Sequence, residues 1–315
     1  MTYLLAVLLT ICIWTVVAQG LVLVFGHGGM FSVAQVACMG VGGYTTALVA
    51  SVYEGPWLGF LMAPVVAAAI GAVIGLAAVA GAGESALLVT FAAQFVFEDV
   101  VTNLRGLTGG ANGISAIPPL TVSGVELLDP PELLALTVPV LAVVALGLRA
   151  MMASPWGRRL RALRDNRHAA PAYGVPRTAP LVQAFAVSAG VAGIGGALYV
   201  ATTGFVSPHS FGLDQLVMVL TIVVLGGQTR LAGAAVGAVI VILLQRLPAY
   251  VSFGGSVDQH LPQFLFGLLL VLAMLLLPNG LLRERPSVRI EPRGDRTDRR
   301  PQLTTWLSST SRRAR

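Results

Sequence analysis

Five arginines fall within one short stretch of this chain: Arg158, Arg159, Arg161, Arg164 and Arg167. Leu160, Leu163 and Ala170 recur among them at helical spacing, so residues 154–175 read as a short amphipathic helix lying outside any hydrocarbon layer. Pro171 is expected to stop it and Gly174 to close the following turn. A helix with arginines on one face and small apolar groups on another suits docking into a groove on a soluble partner. Nothing else in the sequence offers a reaction centre. No His, Cys, Asp and Glu cluster has metal spacing, and no nucleophile is paired with a base. The 20 Lys+Arg residues are all arginine, so the lysine that a Walker A phosphate loop requires is missing and any ATPase must be another polypeptide.

The elements that must position this stretch are apolar. The chain is 56% hydrophobic and 11% charged, with a mean hydropathy of +0.81. A soluble chain carries about 25% charged residues, so this composition belongs to a polytopic membrane protein. The fold class expected is all-α, with about nine transmembrane helices (eight to ten) and a helix on the cytoplasmic side. The spans fall at 3–24, 26–48, 57–80, 85–103, 132–153, 178–203, 214–227, 232–250 and 262–278. The first has neither a basic n-region nor a small-x-small cleavage site, and Ile11 before Cys12 breaks a lipoprotein box, so it is taken as a retained helix. Cys12 and Cys38 lie in apolar runs and suggest neither a disulfide nor a metal.

A charged side chain at the bilayer centre costs about 2.5–3.5 kcal/mol, so the five-arginine stretch is a loop, and the positive-inside rule makes it cytoplasmic. Nine spans with the C-terminus inside put the N-terminus outside. That arrangement leaves only Arg105 and Arg246 of the arginines on the outer side. Gln94, Glu98 and Asp99 stand near the end of their span and read as interfacial rather than as a proton relay. Residues 283–315 carry ten arginines and four acids with few apolar residues, and read as a disordered cytoplasmic tail beside a 1–282 membrane domain.

Several motifs carry a family resemblance. The loop SPWGRRLRALRDNRHAAPAYGV resembles the cytoplasmic coupling loop of branched-chain amino acid ABC-importer permeases, particularly the LivM-type subunit. Residues 26–48 resemble the family's first signature, with Gly26, Gly29, Ser32, Gln35, Gly40, Gly42 and Tyr44 matching. Thr108-Gly109-Gly110-Ala111-Asn112-Gly113 is similar to its T-G-G-x-D/N-G signature. Gly204 to Pro208 resembles G-F-V/I-S-P, Leu225-Gly226-Gly227 resembles V-L-G-G, and 277–281 resembles the terminal P-x-G-L. His209 stands where the family commonly has a carboxylate and is read as solvated.

The resemblance implies a transport subunit with no chemistry and no cofactor of its own, ATP and Mg being bound by partner ATPase subunits. The partners implied are a second permease subunit (LivH-type), two ABC ATPase subunits, an extracytoplasmic substrate-binding protein and the lipid bilayer of a bacterial plasma membrane, with no nucleic acid. It places ATPase coupling on Gly157, Arg158, Arg164, Asp165, Asn166, Ala169, Ala170 and Gly174. Candidates for the substrate path are Gln35, Gly40, Gly42, Tyr44, Thr45, Gln183 and Ser188, neutral groups among glycine backbones that would pass a zwitterion without holding it. The glycine-rich stretch reads first as close helix packing, with a pore-lining role second. The outer loop (Thr108, Gly109, Gly110, Gly113) would cap a vestibule, touch a partner or be a structural turn. Urea, short amides or a sugar on the same architecture remain as alternatives. An ion-coupled secondary transporter would need ionisable groups at mid-membrane.

Overall fold

The computed structural model describes residues 2–53, 55–81, 85–122, 125–167, 169–246 and 267–268. In chain order these form α1 (Thr2–Val22), continued by a π-turn (Leu23–His27), then α2 (Gln35–Tyr53), α3 (Pro56–Ala80), α4 (Ser85–Asn103) and a short α5 (Arg105–Thr108). A two-residue strand pair follows, β1 (Thr121–Val122) antiparallel to β2 (Val125–Glu126), with Thr121 opposite Glu126. Then come α6 (Pro130–Ala153), α7 (Pro155–Asp165), α8 (Thr178–Thr203), α9 (Leu213–Gly226) and α10 (Leu231–Arg246). Seven helices are long and apolar enough to cross a membrane, counting α1 with its π-turn and α9 with the 3-10 turn Pro208–Phe211 before it; α10 is a shorter apolar helix. The chain is thus an all-α polytopic membrane protein, and the first eight expected spans each have their helix. The ninth, 262–278, lies outside the described residues except for 267–268, and the expected tail at 283–315 and the motif at 277–281 lie outside them too.

The solvation pattern is that of a chain built for lipid. Leu61, Val65 and Val73 on α3 are 65%, 65% and 66% exposed, whereas Gln94 and Thr90 on α4 are fully buried. Apolar groups face out and amides face in, because hydrocarbon gives a polar group no partner. Helices α1 and α8 sit centrally, with α3, α4 and α6 at the periphery. Small residues set how closely they pack. A Cβ on Gly71 of α3 would stand 2.2 Å from the Cβ of Ala189 on α8, and one on Gly42 of α2 would stand 2.4 Å from the Gly193 Cα. Gly71 with Gly75, and Ala189 with Gly193 and Ala197, are small residues four apart in the sequence, a register that predicts close packing, and they let α2, α3 and α8 approach backbone to backbone.

Three stretches differ from the expectation. The second span starts at Gln35 rather than residue 26, because 23–27 wind as a π-turn and 28–34 leave the helix altogether, Gly29 adopting φ +62°. The loop helix ends at Asp165, short of Pro171. Asn166 is extended (φ −154°, ψ 101°), and its Oδ1 accepts from the Ala169 N–H at 2.9 Å, so an Asn side chain takes over from the helical carbonyl. Pro171 instead opens a 3-10 turn, Ala170–Tyr173. The stretch expected as plain loop at 104–131 also contains α5, a 3-10 turn and the strand pair, and α6 already begins at Pro130.

Contacts sort the connections into two ends. One end brings 28–34 and the 154–177 loop together, with the α9–α10 turn beside them; the other brings 105–117 to 204–208, and Arg246 lies over the Tyr3 ring at 5.9 Å. Charge follows the same division. The first end holds Arg149, Arg158, Arg159, Arg161, Arg164, Arg167, Arg177 and Arg230, with Asp165. The second holds Glu98, Asp99, Glu126, Asp129, Glu132 and Asp214, with Arg105 and Arg246.

Candidate functional site

The site at the arginine-rich end starts with a tight elbow. Ser154 separates α6 from α7, its hydroxyl donating to the Met151 carbonyl at 2.6 Å, and Pro155 starts α7 with its φ preset. The turn is so close that a Cβ on Gly157 would lie 2.2 Å from the Met152 carbonyl oxygen. Leu160 and Leu163 are fully buried and pack with Met152, Leu148, Met30 and Leu181; Ala170 joins them from the 3-10 turn. The apolar face of the loop is therefore spent within this chain, and the face left free is the charged one. Arg158, Arg159, Arg164, Asp165 and Asn166 are exposed, Ala169 is half-buried, and Gly174 is exposed at φ +78°, closing the turn as expected.

Side chains on several sides fix this loop to the bundle. Arg161 donates to the Met152 carbonyl at 3.1 Å, and Trp156 Nε1 donates to Gln183 Oε1 on α8 at 2.8 Å. Arg167 donates to the Gly29 carbonyl in the 28–34 linker. Burial, and then the neighbouring Arg177, push the Arg167 guanidinium down from its ordinary value, and arginine still stays protonated at any physiological pH. Gln183, named as a path candidate, thus stands at the loop end of α8 as a structural acceptor.

The remaining path candidates sit among packed helices. Gln35 Nε2 donates to the Val17 and Ser188 carbonyls at 3.1 and 3.3 Å, while Ser188 Oγ donates to the Gly20 carbonyl at 2.7 Å and lies 2.9 Å from Gln35 Oε1. These two side chains clasp α1, α2 and α8 together. Thr45 donates to its own helix at the Val41 carbonyl, 2.7 Å away. Gly40 admits Phe97, whose Cζ would be 2.2 Å from an added Cβ, and Gly42 admits Gly193. Tyr44 is buried edge-on to Phe97 and tilted against Phe211, both centroids at 6.3 Å, and its hydroxyl has no partner among the described residues.

One residue read from the sequence as interfacial, Gln94, is instead fully buried in the polar interior. Gln94 on α4 accepts from the Ala37 N–H at 2.8 Å and donates to the Phe211 carbonyl at 2.8 Å and to Glu98 Oε1 at 2.9 Å. One turn earlier Thr90 Oγ1 accepts from the Val33 N–H at 3.1 Å. Both amides precede or open α2, where no intrahelical acceptor exists, so α4 caps α2 from the side. An amide in an apolar span was the available signal; its partners, 57 and 117 residues away, were not.

At the opposite end two of the sequence signatures meet. Thr108 Oγ1 donates to the Val101 carbonyl at 2.6 Å and accepts from the Gly110 N–H at 3.3 Å. Gly109, Gly110 and Gly113 all have positive φ, and the loop is then bridged to the 204–208 segment: Ile114 and Val206 exchange N–H···O bonds of 2.9 and 3.0 Å. A Cβ on Gly113 would lie 2.0 Å from the Val206 carbonyl oxygen. Beside this joint, Glu98, Thr102, His209, Asp214 and Gln215 line an open cavity of about 290 Å³.

Among the described residues no His, Cys, Asp and Glu group could hold a metal. What the geometry offers is a dense small-residue bundle with a rigid, pre-folded, cationic loop at one end. The family described as "Branched-chain amino acid transport system / permease component" matches residues 3–274. The chain belongs to that permease family. Among curated proteins, this permease is 29% identical over 306 residues to the high-affinity branched-chain amino acid transport system permease protein LivM of Salmonella typhimurium, covering 89% of this chain and 70% of that one. The protein of the same name from Escherichia coli K12 gives the same identity and coverage. A probable branched-chain amino acid transport permease protein LivM of Methanocaldococcus jannaschii is 26% identical over 154 residues, 46% of this permease and 45% of its own length. No solved structure matches significantly.

Proposed function

We propose that this permease is a membrane-spanning subunit of an ATP-driven importer of leucine, isoleucine, valine or close aliphatic amino acids. The observation that carries the reading is the family match over residues 3–274, with relatives named as branched-chain amino acid permeases. In this reading the chain performs no chemistry and carries no cofactor. A second permease subunit completes the pathway, two ATPase subunits bind ATP and Mg, and an extracytoplasmic binding protein selects the ligand. The arginine face of α7 is the surface the ATPases grip, with Gly157 fixing the elbow that aims it. Uptake by vesicles holding both permeases and both ATPases tests this. Leucine should accumulate only with ATP and with the binding protein present. ATP-independent uptake by this chain alone sinks the importer reading, and ATP-driven uptake of urea or ribose with leucine inert discards the substrate.

Orientation belongs to the same proposal. The end rich in arginine faces the cytoplasm of a bacterial cell and the acidic end faces outward, with the N-terminus outside, as the positive-inside rule requires. In a background lacking Cys12 and Cys38, an impermeant thiol reagent on intact cells should label Ala111→Cys and spare Ala172→Cys, both of them exposed positions. The reverse pattern inverts the topology and removes the ATPase-facing role of the loop with it.

A further inference from the structure

The backbone of residues 26–35, the first part of the 26–48 signature, lies where the loop, α1, α2, α4 and the α9–α10 turn converge. Arg167 reaches across from the loop to donate to the Gly29 carbonyl. Gly29 itself lies flat on the last turn of α7: a Cβ there would stand 2.9 Å from Arg164 Cγ and 3.4 Å from Arg164 Cα. Its φ of +62° directs the chain sharply back toward the bundle. Upstream is the π-turn, with the Gly28 N–H bonded to the Leu23 carbonyl at 3.0 Å and the Met30 N–H to the Val24 carbonyl at 3.2 Å. Single π-turns of this kind interrupt the regular ladder and concentrate at functional positions in helices. That turn abuts the break between α9 and α10, where a Cβ on Gly26 would fall 1.7 Å from the Gln228 carbonyl oxygen. Downstream, Val33 and Ala37 are held by Thr90 and Gln94 of α4, and Gln35 by α1 and α8.

Other contacts of the loop lead to α6, through Ser154 and Arg161, and to α8, through Trp156 and Gln183, with Leu160 and Leu163 packed between. Segment 23–34 meets α4, α8 and the α9–α10 turn besides α1 and α2, and its residues 28–34 lie outside regular helix.

We infer that the 23–34 segment is the receiver of motion at the loop, Arg167 and Gly29 being the positioning residues that join it to α7. This rests on the reading of 154–175 as the ATPase-docking element. A displacement of α7 pulls or pushes the Gly29 peptide, the π-turn shifts by part of a turn, and the α1–α2 and α9–α10 junctions move together because they share that turn. Arg167 is directed onto the linker rather than into solution, so its part is to transmit and not to grip the ATPase.

The test uses the complete reconstituted transporter with its ATPases and binding protein, scored as leucine imported per ATP hydrolysed and as ATPase retained on purification. Arg167→Met and Gly29→Ala should each lower leucine per ATP at least tenfold with the ATPases still attached. Arg167→Lys, which keeps a donor for the Gly29 carbonyl, should stay within threefold of the unaltered transporter. Wild-type coupling in Arg167→Met or in Gly29→Ala overturns the inference. So does loss of the ATPases from Arg167→Met, which would make Arg167 a docking residue, or a lysine variant as uncoupled as the methionine one. Arg164→Glu separates the two levels: normal attachment and coupling there would remove the docking reading itself, whatever the Arg167 variants do.

Discussion

Replacing Gln94 by leucine will cost this permease most of its thermal stability, although leucine is the better membrane residue on every transfer scale. The substitution leaves the Ala37 N–H and the Phe211 carbonyl without their partner inside a buried site, and Glu98 without its donor. Each buried group orphaned this way costs about 1–3 kcal/mol, so the two backbone groups together lose about 2–6 kcal/mol. The gain from burying leucine is small, because lipid already solvates an apolar side chain as well as protein does. Thermal unfolding in detergent should place Gln94→Leu well below the unaltered protein, and Glu98→Gln, which keeps an acceptor for the Gln94 amide, close to it. A leucine variant as stable as the parent would show that α2 needs no cap from α4.

Gly26→Ala will reduce the folded permease recovered from membranes to a small fraction of the normal yield. A methyl group there would sit 1.7 Å from the Gln228 carbonyl oxygen and 2.8 Å from its carbon. Both are backbone atoms in the turn between α9 and α10, so no side chain can rotate away. Overpacking of this kind costs about 1–3 kcal/mol even where neighbours yield, and here both neighbours are main chain. The comparison is Gly147→Ala on α6, where an added Cβ meets nothing within 4 Å; alanine there removes a helix-weakening glycine and should leave the yield intact or raise it. Equal recovery of the two variants would mean that the π-turn and the α9–α10 turn are not in contact in the folded permease.

What the sequence made legible was set by the range of the interactions involved. Hydropathy is a local property, so each of the first eight expected spans has its helix. The Gly71 and Gly193 patterns also pointed to close packing that the structure contains. The start of α2 was not legible, because an apolar glycine-rich run has the same composition whether it is helix, π-turn or linker. Hydrogen bonds to α4 decide it, and Val33 and Thr90 are 57 residues apart. Pro171 drew attention as a helix stop, while Asn166 had already ended the helix through its own side chain. The polar residues placed on a transport path illustrate the same limit. An amide such as Gln35 shows that a partner is needed, and only the fold shows that its partners are the α1 and α8 backbones.

Because Leu160 and Leu163 are already inside this chain's own core, the ATPase-docking role proposed above has the loop meet its partner as a finished surface. Little conformational entropy is left to lose on contact. Attraction between the exposed guanidinium face and an acidic counterpart then acts over about 8–10 Å at physiological ionic strength. It speeds encounter more than it deepens the bound state. The subunits of such an assembly find one another quickly, and how long they stay together depends on the shape of the elbow at Gly157.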